Sequence, residues 1–198
     1  MTDDRITHPR RPLPPRPATG LLAWQATLGY ISSHYSPDAT LRLFTTSHNA
    51  QILWSAEVVW GGNSESVKEY PSLAGALREL WREVSTHHAL FEDLEAATKA
   101  PSNYDDSDWL DLPTQETLQR LVWVTRIAFP GDWLLMAVYQ PLEAPEARVQ
   151  MRLLAKENTV LVGGRGASLL DAIRVLFRNA APYYAAQSGK KESDLPEL

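Results

Sequence analysis

A short glycine-rich stretch is one of the few places in this chain where residue types and spacing suggest chemistry. Gly163-Gly164-Arg165-Gly166 precedes a segment of helical spacing that begins at Ser168. Exposed N–H groups at the start of a helix can hold an anion. The stretch lacks the Gly-Lys-Ser/Thr ending of a nucleotide-binding loop. A tight turn from strand to helix, which needs small residues, is the simpler interpretation.

Arginines recur four residues apart in two similar segments, at Arg78 and Arg82 and again at Arg174 and Arg178. They either shield the edges of a core with their aliphatic stems and pair with carboxylates, or form two basic ridges for an acidic or phosphate-bearing partner. Together with Arg165 they are our candidate contacts for an anion or a nucleic acid. The formal net charge of −5 disfavours nucleic-acid binding, because phosphate contacts dominate its affinity.

The pattern for metal binding or catalysis is weak. His87, His88 and Glu92 offer a His/Glu spacing that a metal could share, but two ligands do not define a site. The sequence contains no Cys, no Gly-x-Ser-x-Gly and no His-Glu-x-x-His. We therefore expect no catalytic residues, no metal and no cofactor.

An internal repeat indicates which elements position these residues. Ser72–Arg82 and Ser168–Arg178 are identical at six of eleven positions. Each predicts a helix in which the serine caps the N-terminus and six apolar residues form one stripe. The predicted core positions are Leu73, Ala76, Leu77, Leu80, Trp81, Val84, Leu169, Ala172, Ile173, Leu176, Phe177 and Ala180. The repeat predicts a tandem duplication of one supersecondary unit.

Alternating apolar residues predict antiparallel strands between the helices. The predicted elements are a helix over 20–33, strands at 40–46, 51–60 and 65–70, helices over 89–99 and 113–121, and strands at 133–139, 147–155 and 159–163. The second repeated helix is predicted over 168–180, and 103–111 is predicted to be an exposed acidic loop that carries Trp109. The segment Val122–Phe129 is rich in β-forming residues, so a strand in a hairpin is favoured over a helix. The predicted fold is α+β, two-lobed and pseudo-two-fold, from two helix–antiparallel sheet–helix units.

The strand Trp133–Tyr139 is apolar on both faces. Leu134, Met136 and Val138 alternate with Trp133, Leu135, Ala137 and Tyr139, a pattern typical of a central strand that is covered on both sides. We expect the two units to pack on each other, or on a partner, through sheet surface. The domain boundaries that we predict are a disordered Pro/Arg-rich arm at 1–19, repeats at 20–88 and 114–186, a linker at 89–113 and a flexible tail at 187–198.

The order helix–three strands–helix is also that of double-stranded-RNA-binding domains. Gly164–Ile173 resembles the signature of that family before its last helix. The resemblance covers about ten residues and the topology, and it implies an RNA-binding module. The chain departs from the family at Leu169, Leu170 and Ile173, where the family has lysines that face phosphates. The first repeat has Leu73, Ala74 and Leu77 at those positions.

The leading hypothesis is a non-enzymatic protein-interaction or assembly module that binds a protein partner or self-associates, with Trp109, Trp133 and Trp60 as candidate interface residues. The alternatives are the nucleic-acid-binding module and a small-molecule-binding protein with its site between the lobes. No apolar run is long enough to span a bilayer, and no apolar segment of a secretory signal follows Met1–Arg5. We expect a cytoplasmic location.

Overall fold

The computed structural model describes residues 20–34, 36–48, 51–87, 109–155 and 158–195. The expected α+β class is confirmed. The elements are α1 (Gly20–His34), β1 (Thr40–His48), β2 (Gln51–Trp60), β3 (Asn63–Tyr70), α2 (Leu73–His87), α3 (Leu112–Ala128), β4 (Trp133–Tyr139), β5 (Val149–Ala155), β6 (Val160–Gly166) and α4 (Leu169–Ser188). The predicted arm over 1–19, the helix over 89–99 and the His88–Glu92 pair lie outside the described residues.

All six strands form one antiparallel sheet in the order β3-β2-β1-β4-β5-β6. The central pair joins β1 to β4, with a register that runs from Leu41 opposite Tyr139 to Phe44 opposite Met136. The expectation that the two units pack on each other through sheet faces is therefore wrong, because they join edge to edge. The physical reason is that two three-stranded sheets would each expose an edge of unpaired backbone groups, which the β1–β4 ladder satisfies.

One continuous hydrophobic core fills the space between the helices and one face of the sheet. All twelve predicted core positions in α2 and α4 are buried. The predicted caps are present as well: Gly75 N–H donates to Ser72 Oγ at 3.0 Å, and Asp171 N–H donates to Ser168 Oγ at 3.1 Å. Helical spacing alone therefore identified the interior surface of both helices.

Trp24 anchors α1 to α2. Its side chain is fully buried, and its ring meets that of Trp81 edge-to-face with centroids 5.0 Å apart. The indole Nε1–H donates to the backbone carbonyl of Leu77 at 3.1 Å. The one polar atom of this large apolar side chain is thus satisfied inside the core, as buried tryptophans require.

A carboxylate fixes the turn between β2 and β3 against the loop that precedes β1. Asp38 accepts a hydrogen bond from the Ser36 hydroxyl and another from Gly61 N–H at 3.0 Å. The bond from Ser36, followed by that from Gly61, lowers the pKa of Asp38, because both favour its ionised form. The two loops are tied together at one end of the sheet.

The segment Val122–Phe129 is helical, not the strand of a hairpin as its composition predicted. It forms the second half of α3, and the predicted short helix therefore continues to Ala128. Asp111 caps the helix by accepting from Thr114 N–H at 2.9 Å. The residues buried along α3 are Thr114, Thr117, Leu118, Leu121, Val124, Thr125 and Ala128. These buried residues form one face of the helix, and α3 packs along α4. The free energy of this packing outweighs the small cost of β-branched residues in a helix.

The glycine-rich stretch belongs to β6 and is not the predicted turn. Its residues pair with β5, with Gly164 opposite Met151 and Gly166 opposite Val149. A Cβ on Gly164 would lie 2.5 Å from the carbonyl oxygen of Ala172, and one on Gly166 would lie 2.7 Å from the nitrogen of Ala172. The glycines therefore allow α4 to approach the backbone of β6 closely, and the stretch is not a free loop for an anion.

Two further differences from prediction concern the chain around the second unit. Trp109, expected in an exposed acidic loop, is 2% exposed and lies 6.1 Å from the ring of Trp81. Burying so large an aromatic surface outweighs the acidic character of the neighbouring residues. The last helix continues beyond the predicted Ala180 to Ser188 and includes Pro182, and Leu195 then packs half-buried against the core.

Candidate functional site

The sheet has a second face, and it carries apolar side chains that do not belong to the core. Seven of them are half-buried or buried on strands β1, β2, β4 and β5, and none is a member of the core cluster or packs against it. We call this set the open face, which comprises Phe44, Leu53, Val59, Leu134, Met136, Val138 and Leu154. Apolar surface of this kind, gathered on one face, is typical of an interaction site.

The strand register places the central side chains of this set in two adjacent rows. Phe44 lies opposite Met136, and Met136 lies opposite Arg152. In the next row Val138 lies between Arg42 and Gln150. Side chains directly opposite each other in antiparallel strands share a face, as do residues two apart on one strand. The centre of the open face is therefore apolar, and we call Phe44, Met136 and Val138 the apolar strip.

The charges beside this strip are mostly positive. Arg42 pairs with Glu57 at 3.1 Å across β1 and β2. On the other side Arg152 donates to the neutral side chain of Gln150 at 3.2 Å, and Arg165 lies opposite Gln150 on β6. Three arginines and one glutamate thus surround the strip, although the chain as a whole carries a net charge of −5. The pKa of Tyr139, next to Val138, is raised by burial, which opposes its ionisation.

A depression of about 410 Å³ lies on β5 and β6 beside the apolar strip. Its lining includes Arg152, Arg165, Gln150, Val160 and Gly163, and also Met151, Gly164 and Val175 of α4. Because α4 packs on the core face of β5 and β6, the depression reaches the β6 edge of the sheet. Gly163 is directly opposite Arg152 in the ladder and has no side chain to fill the space between the two arginines.

Both edges of the sheet oppose the addition of another strand. Along β6, Asn179 Nδ2 donates to the Gly163 carbonyl at 2.7 Å and so occupies one acceptor of the edge. Along β3, Lys68 and Glu69 are exposed, and Glu69 has a φ of 65° that interrupts the extended backbone. Charged residues and irregular backbone on edge strands prevent pairing with other chains. Strand addition at either edge of the sheet is therefore disfavoured.

A second concavity of about 300 Å³ lies between β2, the start of α2 and the first half of α3. Its lining includes Trp54, Leu73, Leu118 and Val122, and its polar side chains are Ser72, Gln115 and Gln119. Among the described residues no charged side chain lines this groove. Its volume is at the lower end for ligand sites, and it offers no group for acid–base chemistry.

The structure does not bring the five candidate arginines together. Arg78 and Arg82 are exposed on α2, which packs over β2 and β3, and Arg82 pairs with Glu79 and with Glu83 at 2.7 Å. Arg174 and Arg178 lie on α4, over β5 and β6. Arg165 lies on the open face. The helical arginines therefore sit over opposite ends of the sheet.

The three candidate interface tryptophans are also separate from one another. Trp60 and Trp109 are 5% and 2% exposed, so they offer almost no surface to a partner in this conformation. Trp133 is half-buried and packs against the core. The residues that do form an apolar surface, Phe44, Met136 and Val138, were not among the candidates. Their signal was the double-sided apolar pattern of β4, which predicts packing of the units on each other or on a partner.

The groups that would support metal chemistry or a membrane span are missing from the described parts of the chain. No cluster of three or more His, Asp or Glu side chains there could hold a metal ion. No helix in these ranges is both long enough and apolar enough to cross a membrane. Neither protein-family models nor curated proteins match the sequence.

Proposed function

We propose that this protein is a non-enzymatic protein-interaction module that binds a partner through the open face of its sheet. The observation that carries the proposal is the apolar strip of Phe44, Met136 and Val138, which lies outside the hydrophobic core. Protein interfaces have such an apolar centre with a polar rim. The arginines and Gln150 supply the rim.

The edge-to-edge union of the units supports this proposal. A strand that is apolar on both faces is stabilised when both faces are shielded from water. The helices shield one face of β4, and packing of the two units sheet against sheet would have shielded the other. Because β1 and β4 instead pair within one sheet, the second apolar face stays without that cover. This supports the second of our two explanations for the double-sided pattern of β4, which is cover by a partner.

We also propose that the chain arose by tandem duplication into two pseudo-symmetric units. The order helix–three strands–helix occurs in residues 20–87, and again in 112–188. In the sheet order β3-β2-β1-β4-β5-β6, each half places its three strands in chain order from the central β1–β4 pair outward. The matching serine caps and apolar stripes of α2 and α4 support the same origin. On this proposal, duplication doubled the width of the face that a partner can use.

Selection of peptides from a random displayed library tests the function. The full chain is compared with Met136→Lys, and with Leu142→Lys as the matched control, because Leu142 is 59% exposed in the β4–β5 loop. Peptides enriched on the unaltered chain are expected to bind Met136→Lys at least about tenfold more weakly, since a charge would be desolvated in the apolar strip. The Leu142→Lys variant should bind them unchanged.

Circular dichroism and thermal unfolding establish that each variant is folded, and Val138→Lys replaces Met136→Lys if the latter is not. Equal affinity of the enriched peptides for the open-face variant and the unaltered chain would overturn the proposal. So would the absence of any sequence-specific enrichment.

A further inference from the structure

We infer that the open face selects an acidic segment of its partner, whose carboxylates are bound by Arg152 and Arg165 while neighbouring apolar side chains lie on Met136 and Phe44. This inference rests on the proposed function and adds the chemistry of the partner. It concerns the depression on β5 and β6, whose lining includes both arginines.

The strand register places Arg152 and Arg165 close enough for both guanidinium groups to contact the same ligand. Arg152 is opposite Gly163, and Arg165 follows two residues later on the same face of β6. Diagonal neighbours of this kind have Cβ atoms about 7–8 Å apart. Long arginine side chains can converge over that distance, and Gly163 leaves the space between them open. The pair can therefore bracket one carboxylate or two adjacent ones.

The charge balance around the two arginines also favours an acidic ligand. Arg42 has a carboxylate partner in Glu57 at 3.1 Å. Within the described parts of the chain, Arg152 contacts the neutral Gln150, and no ion pair involves Arg152 or Arg165. Arg152 and Arg165 are both exposed. Two exposed arginines without an internal carboxylate beside an apolar strip are complementary to a segment that mixes acidic and apolar residues.

An acidic protein segment fits this surface better than a nucleic acid. Nucleic-acid binding needs several phosphate contacts, and its affinity falls steeply with salt when those contacts are lost. Here Arg152 lies opposite Met136, Arg165 lies beyond Gln150 in the row of Val138, and the overall charge is negative. A protein segment in which carboxylate and apolar side chains alternate can contact the arginines and the apolar strip at the same time.

Three short synthetic peptides test the inference, with valine alternating with glutamate, lysine or glutamine. Binding of each labelled peptide to the full chain is measured by fluorescence anisotropy at about 50 mM salt, where surface charges are weakly screened. We expect the glutamate peptide to bind at least about tenfold more tightly than the lysine peptide. The double change Arg152→Glu and Arg165→Glu should reverse this preference. Arg126→Glu, at an exposed arginine on α3, should leave it unchanged.

The outcomes separate this inference from the proposed function. Equal binding of all three peptides, lost in Met136→Lys, would overturn the acidic selectivity and leave the open face as a binding site. Displacement of the glutamate peptide by a single-stranded RNA of equal charge would also overturn it in favour of a phosphate ligand. Failure of the library-selected peptides to depend on Met136 would instead overturn the proposed function itself.

Discussion

Replacing Gly164 with alanine is expected to destabilise the protein by about 3 kcal/mol, at the upper end of the usual cost of overpacking. The added Cβ would lie 2.5 Å from the Ala172 carbonyl oxygen and 2.6 Å from the Leu176 nitrogen. Both contacts are with the backbone of α4, so no side-chain rotation can relieve them. The helix would have to move away from β6, and the buried side chains of Ile173 and Leu176 would lose contacts with the sheet.

Gly163→Ala is the matched control for this substitution. It lies next in the same strand, and its added Cβ would have its nearest contact at 3.4 Å, with the carbonyl oxygen of Met151. We expect a change within about 1 kcal/mol. Urea unfolding followed by circular dichroism measures both free energies of unfolding. Thermal unfolding should show a midpoint lower by about 6–12 °C for Gly164→Ala alone. Equal stability of the two variants would contradict the close packing of α4 on β6.

Replacing Trp24 with alanine is expected to destabilise the protein by about 3–5 kcal/mol. The ring is fully buried against that of Trp81, and its loss leaves a large cavity between α1 and α2. The Leu77 carbonyl also loses the hydrogen bond from Nε1 at 3.1 Å. That carbonyl lies inside α2 and keeps its helical hydrogen bond, so the cavity accounts for most of the loss.

The control for Trp24→Ala is Trp123→Ala on α3. Trp123 is 48% exposed and contacts the ring of Tyr184 with centroids 5.5 Å apart. Much of its surface already faces solvent, so we expect a loss of about 1 kcal/mol. Far-ultraviolet circular dichroism follows the urea unfolding of both variants, because removing a tryptophan alters the fluorescence signal. A loss for Trp123→Ala as large as that for Trp24→Ala would contradict the placement of α1 in the core.

Periodicity predicted the parts of the fold in which each element buries one stripe or one face. The twelve core positions of α2 and α4 follow helical spacing, and β2 alternates along its length. The bounds of β2, and of the continuous apolar run that forms β4, were predicted residue for residue. In these elements the local pattern and the tertiary packing favour the same structure, and a single sequence is then sufficient.

The sequence failed where tertiary contacts decide between local alternatives. Val122–Phe129 has a composition that fits a strand, but Val124, Thr125 and Ala128 continue the buried face of α3. Trp109 lies in an acidic setting that predicts exposure, and its ring is buried beside that of Trp81. In both cases a partner distant in the sequence supplies the deciding contact.

The candidate site was harder to predict than the fold for a related reason. The double-sided apolar pattern of Trp133–Tyr139 identified β4 as a central strand, and the sheet order agrees. Which face meets the helices depends on the pairing of β1 with β4, and local periodicity carries no information about that pairing. Arg165 was identified for its proximity to a glycine stretch. Its position opposite Gln150 and diagonal to Arg152 follows from the register alone.

The two internal methionines give the most direct test of the claim that the open face binds a partner. Met136 lies on the open face, and Met151 lies one strand away on the core face, opposite Ala137, where it is 1% exposed. Methyl-labelled methionine spectra of the full chain report on both faces at once, with assignments from Met136→Leu and Met151→Leu.

We predict that a soluble paramagnetic agent broadens the Met136 methyl signal, and that a library-selected peptide shifts it, while the Met151 signal responds to neither. A Met136 signal that stays unchanged at saturating peptide, or that is as protected from the paramagnetic agent as Met151, would contradict the account.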